Sequence, residues 1–316
     1  MQDLRFGKIA LSGPRLAFGG GAISGEGGGY GFGAMAEEQA ISLLTYALER
    51  GIKVYDTAPI YGFEVSEKRL GKAFQKKREQ IFLVSKSGIT WHDNQRVDLN
   101  NSADMTLKML EQSLINLRTD YIDLYMVHWP DPRTDIRETM EVLRTAKEQG
   151  KIKYIGLSNT NKDEITKALE VVNLDALQFE YNLFSHSNLE LFQLAQESDW
   201  GVMTWGTLEK GIITGSVTEK RRFDQYDCRK NAPWWKQMDK KSRFRAMERI
   251  FPLLEGEGFS GLELALGFVV KLGERVLPLV GMKTPKHVDS ALRAIEKGIP
   301  DELVQRCIEI VDEELK

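Results

Sequence analysis

The sequence predicts an α/β protein folded as a closed (β/α)8, or TIM, barrel, with an N-terminal β-hairpin and a long loop after strand seven. Three observations predict it. Eight short β-rich runs alternate with helical patterns along the 316 residues. Several of these runs are apolar on both faces, as strands in a buried parallel sheet must be. Nearly every run also ends in a charged or polar side chain, which suits a barrel that carries its chemistry at the C-terminal ends of its strands. Eight consecutive units favour closure over an open doubly wound sheet. No Pro/Ser-rich linker or break in composition marks a second domain, so one domain over residues 1–316 is expected.

In chain order, a hairpin is expected around Gly13-Pro14. The strands are RLAFG (15–19), KVYD (53–56), IFLVSK (81–86), YIDLYMVH (121–128), IKYIGLS (152–158), ALQFE (176–180), GVMTW (201–205) and VLPLVG (276–281). The segments between them carry helix-end signals. Asp135 with Glu138, Asn161 with Glu164, Ser187 with Glu190 and Ser260 with Glu263 have capping-box spacing. Gly51 and Gly150 stand where C-terminal caps belong. Leu107, Leu110, Leu114 and Leu117 give the third helical segment one apolar stripe.

Composition excludes several function classes. With 42% hydrophobic and 28% charged residues the chain reads as an ordinary soluble globular protein. Its 43 basic and 46 acidic residues give −3, which argues against a protein dominated by nucleic-acid or anionic-membrane binding. No apolar run approaches the roughly 18 residues of a membrane span. The start, MQDLRFGKIALSG, is too charged and broken for a secretory signal. Cys228 and Cys307 lie far apart and form no metal or redox motif. Cytoplasmic residence is expected, with a small molecule as partner, no metal, and no oligomeric state specified.

Two stretches depart from the alternation. GGGAISGEGGGYGFGAM (19–35) is too glycine-rich to be other than loop. It contains Gly29-Tyr30-Gly31-Phe32-Gly33-Ala34, a literal dinucleotide fingerprint, but about ten loop residues separate it from its strand, and a fingerprint should follow directly. Segment 206–259 is the second, with eleven Lys/Arg against four Asp/Glu within 220–249. It is either a solvated face or a cover over an anionic ligand.

The strand ends then carry the chemistry. Strand two ends in Asp56, with Tyr61 just beyond; strand three in Lys86; strand four in His128; strand five in Ser158-Asn159. Gln178 lies in strand six, Trp205 ends strand seven, and strand eight runs into Gly281, Met282, Lys283 and Thr284. Each has a bland reading singly, an ion pair or a satisfied buried imidazole. Jointly they do not. In GIKVYDTAPIYG, VSKSG and LYMVHWPDP, Asp56, Tyr61, Lys86 and His128 resemble the catalytic tetrad of the aldo-keto reductases. The similarity continues through SEKRLG (66–71), GLSN (156–159), LQFEYNLF (177–184), GIITG (211–215) and LVGMKTP (279–285).

The resemblance implies an NADPH-dependent reductase of aldehydes or ketones, with NADH as the other nicotinamide cofactor. The nicotinamide supplies a hydride, so the protein must supply a proton. Tyr61 is the implied donor. An ordinary phenol has a pKa of about 10, and a field from Lys86, itself held by Asp56, would help it release the proton. His128 would hydrogen-bond the substrate oxygen as a neutral imidazole. By position in the family, Ser158, Asn159 and Gln178 imply contacts to the carboxamide, and Trp205 implies an aromatic stacked on the ring. Gly20, Gly206, Thr207, Leu208, Gly211 and Arg229 imply contacts along the cofactor. Gly281, Met282, Lys283, Thr284 and His287 imply a phosphate site at a helix start, with Pro285 in its first turn; Lys283 favours NADP over NAD. His287 replaces the family's usual Arg or Gln, Ala291 its usual Asn, and WGTLEKG its Tyr-Ser-Pro pattern. Asp227 and Arg229 resemble a motif in a loop that crosses the cofactor. Trp91, Trp129 and either Trp234 or Trp235 are expected around an open substrate mouth. Two rival readings are a cofactor-sensing accessory subunit and a Schiff-base aldolase using Lys86.

Overall fold

The computed structural model describes residues 3–316; Met1 and Gln2, the first two positions of the expected 1–316 domain, lie outside the described residues. β1 (Asp3–Phe6) and β2 (Ile9–Ser12) form an antiparallel hairpin. β3 (Ala17–Gly19), β4 (Val54–Asp56) and β5 (Phe82–Ser87) begin the barrel, and β6 (Ile89–Trp91) and β7 (Val97–Leu99) form a second hairpin. β8 (Ile122–Val127), β9 (Ile152–Ser158), β10 (Ala176–Glu180), β11 (Gly201–Trp205) and β12 (Val276–Val280) complete it. All eight barrel strands run parallel, and β12 pairs back with β3 to close the ring. The fold expected from alternation is present.

Closure puts two apolar compartments on the two sides of the strands. Inside, Val54, Val84, Leu124, Met126, Met203 and Leu277 fill the lumen, and Phe6 of the first hairpin packs into the same cluster. Outside, helices α1 (Glu37–Glu49), α2 (Val65–Phe74), α3 (Ala103–Leu117), α4 (Ile136–Glu148), α5 (Lys162–Leu169) and α6 (Leu189–Glu197) cover the first strands. α7 (Pro233–Gln237), α8 (Lys240–Gly256), α9 (Gly261–Val270), α10 (Pro285–Lys297) and α11 (Asp301–Glu314) follow. None of the helices among the described residues is long and apolar enough to cross a membrane.

Several local expectations change. The first hairpin turns at Gly7-Lys8, with Gly7 at φ +60°, because a left-handed residue suits a tight turn; Gly13-Pro14 comes after β2. The hairpin β6–β7 was not foreseen, since its charged tip HDNQR hides three-residue strands. Ser260 and Glu263 make the full capping box, and Asp135 and Asn161 cap their helices. α6 instead starts after Asn188 without a side-chain cap, so Ser187 caps nothing. On α3 the buried stripe runs through Met109, Leu110, Leu114 and Leu117, and Leu107 faces water.

The largest correction concerns 206–259. Only 206–239 is irregular, and it includes the short α7; the rest is mainly the 17-residue α8. Ala246, Met247, Ile250 and Leu254 form its buried face, at helical spacing that the many cations obscured. Four of the eleven cations in 220–249 are ion-paired, one of them Arg229 with Asp227. Arg245 and Arg249 reach Glu313 and Glu314 at the end of α11, and Arg243 reaches Glu209.

Candidate active site

Strand pleating aims Lys86 into the barrel and its neighbours Ser85 and Ser87 outward. The Lys86 side chain is fully buried, and its Nζ donates to Asp56 Oδ2 at 2.6 Å and to the Thr57 carbonyl at 2.9 Å. Burial pulls the ammonium below its ordinary pKa, while Asp56 and then Glu67 pull it back up. Nζ lies 5.5 Å from the centre of the Tyr61 ring. His128, at the end of β8, crosses the same ring edge to face, 5.8 Å between centres. The four residues therefore meet at one point of the rim.

Their protonation states follow from burial. Desolvation pushes the Tyr61 phenol well above its ordinary pKa, and Asp56 and Tyr30 add to the rise. The sequence-based expectation was a phenol eased downward by Lys86; with Asp56 bound to that ammonium, desolvation wins. Tyr61 is accordingly protonated at pH 7. Desolvation, with Lys86 nearby, holds His128 well below the imidazole range, so it is neutral at pH 7. An imidazolium there would set a second buried cation beside Lys86.

A hydrogen-bonded chain leads away from the tetrad. Gln178 Nε2 donates to Asp56 Oδ2 at 2.9 Å, and Ser158 Oγ donates to Gln178 Oε1 at 3.4 Å. Asn159 Nδ2 donates to Ser158 Oγ at 3.0 Å and to the His128 carbonyl at 2.9 Å. The Trp205 indole donates to Asn159 Oδ1 at 2.8 Å. These predicted residues are brought together.

The remaining expected residues sit farther round the rim. Gly206, Thr207 and Leu208 form the turn after β11, where Thr207 is buried and donates to the Thr204 carbonyl. Gly211 follows Glu209 and Lys210, two residues held at positive φ. Glu209 is buried among Lys210, Arg243 and Asn182. Arg229 pairs with Asp227 and donates to the Lys210 carbonyl at 2.6 Å. Gly281 and the buried Met282 lead into α10, whose cap is Thr284. His287 Nδ1 accepts from the Lys283 backbone N–H at 3.2 Å. Ala291 lies in the core beneath α10. Gly20 is explained by packing, since a Cβ there would stand 2.5 Å from the Asp56 carbonyl oxygen.

Lys283 does something the sequence did not suggest. Its Nζ donates to the carbonyls of Phe32, Gly33 and Ala34, at 3.1–3.3 Å. The glycine-rich loop is thus pinned from one side by Lys283. It is pinned from another by the 224–231 stretch, through a Phe32–Asp227 bridge and a Cys228 N–H to Gly31 carbonyl bond. A third bridge joins Gly29 to Tyr61. Gly29 has φ +60°, and a Cβ would stand 2.2 Å from the Ile60 carbonyl oxygen, so no larger residue fits. Gly29 serves this close approach, and the fingerprint lies in a loop and not at a strand-to-helix turn.

Around Tyr61 the wall is apolar and aromatic: Ile60, Ile89, Tyr30, Phe63, Trp91 and Leu99. Trp129 is exposed, 6.5 Å from Trp205. Trp234 and Trp235 instead pack on each other, with Phe223 against Trp235, inside the 206–239 connection. Sequence reasoning missed Tyr30, Phe63 and Glu67. The signal for Glu67 was SEKRLG: α2 buries Ser66 against the Gly20 carbonyl, Glu67 against Ser85 and Asn116, and Arg69 against the Ile23 and Met35 carbonyls.

Comparison with known proteins agrees with this fold. The sequence profile described as the Aldo/keto reductase family matches residues 15–312. "Aldo-keto reductase YhdN" of Bacillus subtilis is 34% identical over 267 residues, covering 83% of this chain and 80% of that protein. An "NADH-specific methylglyoxal reductase" of Escherichia coli is 29% identical over 316 residues, 95% of each chain. Among solved structures, a glycerol dehydrogenase from Gluconobacter oxydans superposes with a TM-score of 0.84 at 28% identity, covering 99% of this chain and 95% of its own. With that profile spanning nearly the whole of a chain whose eight parallel strands close into a barrel, this chain belongs to the aldo/keto reductase family of NAD(P)H-dependent oxidoreductases.

Proposed function

We propose that this protein reduces aldehydes or ketones to alcohols with NADPH, NADH being the second cofactor, and that Tyr61 gives the carbonyl oxygen its proton. The observation that carries the reading is the meeting of a protonated Tyr61, the Lys86–Asp56 pair and a neutral His128 at one point. When bound, the dinucleotide supplies the hydride. Every other requirement falls to the protein. Tyr61 donates, and the buried Lys86 ammonium favours the negative charge left on its oxygen. Asp56 keeps Lys86 charged against desolvation. His128, neutral, offers a hydrogen bond that aligns the carbonyl with Tyr61. Lys86 is held by two acceptors in full burial, which suits a fixed charge and not a Schiff-base nucleophile.

The residues present fit a nicotinamide dinucleotide. Asn159 and Gln178 match a carboxamide, the half-buried Trp205 offers an aromatic face, and the capped start of α10 offers backbone N–H groups to phosphate. In the structure Lys283 is engaged by three carbonyls. A preference for NADP through Lys283 therefore requires exchanging those carbonyls for a phosphate, a stronger charge-assisted partner. Trp91 and Trp129 flank a small carbonyl compound. The test is oxidation of NADPH and NADH against a panel of aldehydes, ketones and sugars. Tyr61→Phe should keep cofactor affinity and lose roughly 10²–10⁴-fold in turnover; near wild-type reduction by this variant refutes Tyr61 as the donor.

A further inference from the structure

We infer that Glu67 is a second negative charge behind the active site, one that raises the affinity for oxidised relative to reduced nicotinamide dinucleotide. The inference rests on the proposed nicotinamide cofactor and deepens that reading.

Glu67 is a buried group that the roles of the tetrad leave unexplained. It lies on α2, fully buried, behind the strand that carries Lys86. Ser85, the residue before Lys86 on β5, donates to Glu67 Oε1 at 2.7 Å. Asn116 of α3 donates from Nδ2 to Oε2 at 3.0 Å, and Gln112 Nε2 holds that amide's orientation by donating to Oδ1 at 3.1 Å. The groups that face Glu67 are neutral: Ser85 from β5, Tyr125 from β8, and Ser113 and Asn116 from α3. Among the described residues, no Lys, Arg or His forms an ion pair with it. Burying a carboxylate without a cation in contact is costly. A glutamine satisfies the same neighbours, accepting from Asn116 and donating to Ser85 Oγ, so packing and hydrogen bonding do not call for an acid here.

The hydrogen bonds favour the ionised form. Both oxygens take donors, as a carboxylate, which only accepts, requires. Burial raises the pKa of the group, and Ser85, Asn116 and Ser113 oppose the rise. The charge also reaches the tetrad, since Glu67 follows Asp56 in holding Lys86 protonated. Asp56 and Lys86 cancel as a contact pair, and Tyr61 and His128 are both neutral. Glu67 therefore leaves the tetrad and its backing with one net negative charge.

That charge has a counterpart in the reaction. The nicotinamide ring is uncharged when reduced and singly positive once its hydride has left. A ring that gives hydride to the carbon whose oxygen Tyr61 protonates must lie against the tetrad. Net negative charge there attracts the oxidised ring and acts little on the reduced one. The adenosine phosphates are the same in both forms, so their contacts cancel in the comparison.

The experiment measures binding, not turnover. The probes are NADP+, NADPH, NAD+, NADH and the 2′-phosphate of ADP-ribose, which lacks the ring. In Glu67→Gln the affinity for NADP+ relative to NADPH should fall by roughly three- to tenfold, the effect of one partly screened unit charge at an effective dielectric of about 20. NAD+ relative to NADH should fall equally, and the ring-free nucleotide should bind unchanged. Combining Glu67→Gln with Asn116→Asp exchanges carboxylate and amide across one hydrogen bond, and should restore the wild-type ratio. A purely structural role predicts no such rescue. Should Glu67→Gln fail to fold, Glu67→Met with Ser85→Ala and Asn116→Leu removes the charge together with its partners, which is far less costly than orphaning them, and the same fall is expected. A ratio equal to wild type in the folded uncharged variant overturns the inference and leaves the cofactor reading standing. An exchanged pair that keeps the lowered ratio overturns it too. Wild-type protein that binds none of the dinucleotides overturns both.

Discussion

On the tetrad side of the rim, Asp56, Lys86 and His128 are carried by strand ends and are at most 7% exposed. On the opposite side, Lys210, Arg229 and Lys283 are carried by connections and held by carboxylates and backbone carbonyls. The strand-borne groups inherit their positions from the barrel ladder, which hydrogen bonds between neighbours define. The connection-borne groups depend on contacts distant in sequence, such as Lys283 on the Phe32–Ala34 carbonyls. The glycine-rich loop joins the two, bridged to Tyr61 at Gly29 and to Asp227 at Phe32. The contrast teaches that chemistry is placed by the sheet, whereas its cover is assembled by long-range, partly exposed contacts.

Breaking the strand-borne side should have the largest effect. Lys86→Met leaves the buried Asp56 carboxylate without its cation, and such a loss costs about 3–5 kcal/mol. Denaturant unfolding should report that loss, and carbonyl reduction should vanish with it. Stability near wild type would mean that the pair is not the anchor described above.

Breaking the joint should come next. Gly29→Ala puts a Cβ against the Ile60 carbonyl at a left-handed position, and strain of this kind costs about 1–3 kcal/mol. Loss of the Gly29–Tyr61 bridge should lower turnover more than cofactor affinity. Gly256→Ala, where a Cβ meets nothing within 4 Å, is the control and should stabilise slightly.

The pH dependence sharpens the comparison on the tetrad side. His128 is held well below the ordinary imidazole pKa by burial and by Lys86. The unfolded chain takes up that proton near pH 6.5 and the folded chain does not. The unfolded state thus binds more protons as pH falls below that value, and stability is lost on the acid side. The decline of melting temperature below pH 6.5 should be shallower in His128→Gln. Equal slopes would show that His128 is not buried as a neutral base.

Arg249→Ala, on the exposed link between α8 and Glu313–Glu314, should have the smallest effect. Exposed ion pairs contribute little and are screened by salt. A fall in melting temperature comparable to that of Lys86→Met would erase the contrast between the two sides.

The sequence by itself determined the barrel and singled out residues that meet at its rim: Asp56, Tyr61, Lys86 and His128, with Ser158, Asn159 and Gln178 beside them. Eight alternating units leave little choice of topology, and apolar strands ending in Asp56, Lys86, His128 and Ser158-Asn159 expose their polar ends by periodicity of two. SEKRLG was visible too, but a motif does not say that Glu67 will be buried behind Lys86. Tertiary structure alone decided what covers the site. β6–β7 became a wall because Ile89 and Trp91 found Phe63 and Tyr30. Arg245 and Arg249 became paired because α8 lies against α11. Lys283 turned to the glycine-rich loop because three carbonyls 249–251 residues away happen to converge on it. Pairings of that kind are set by distance in space, and local sequence pattern has no means of encoding them.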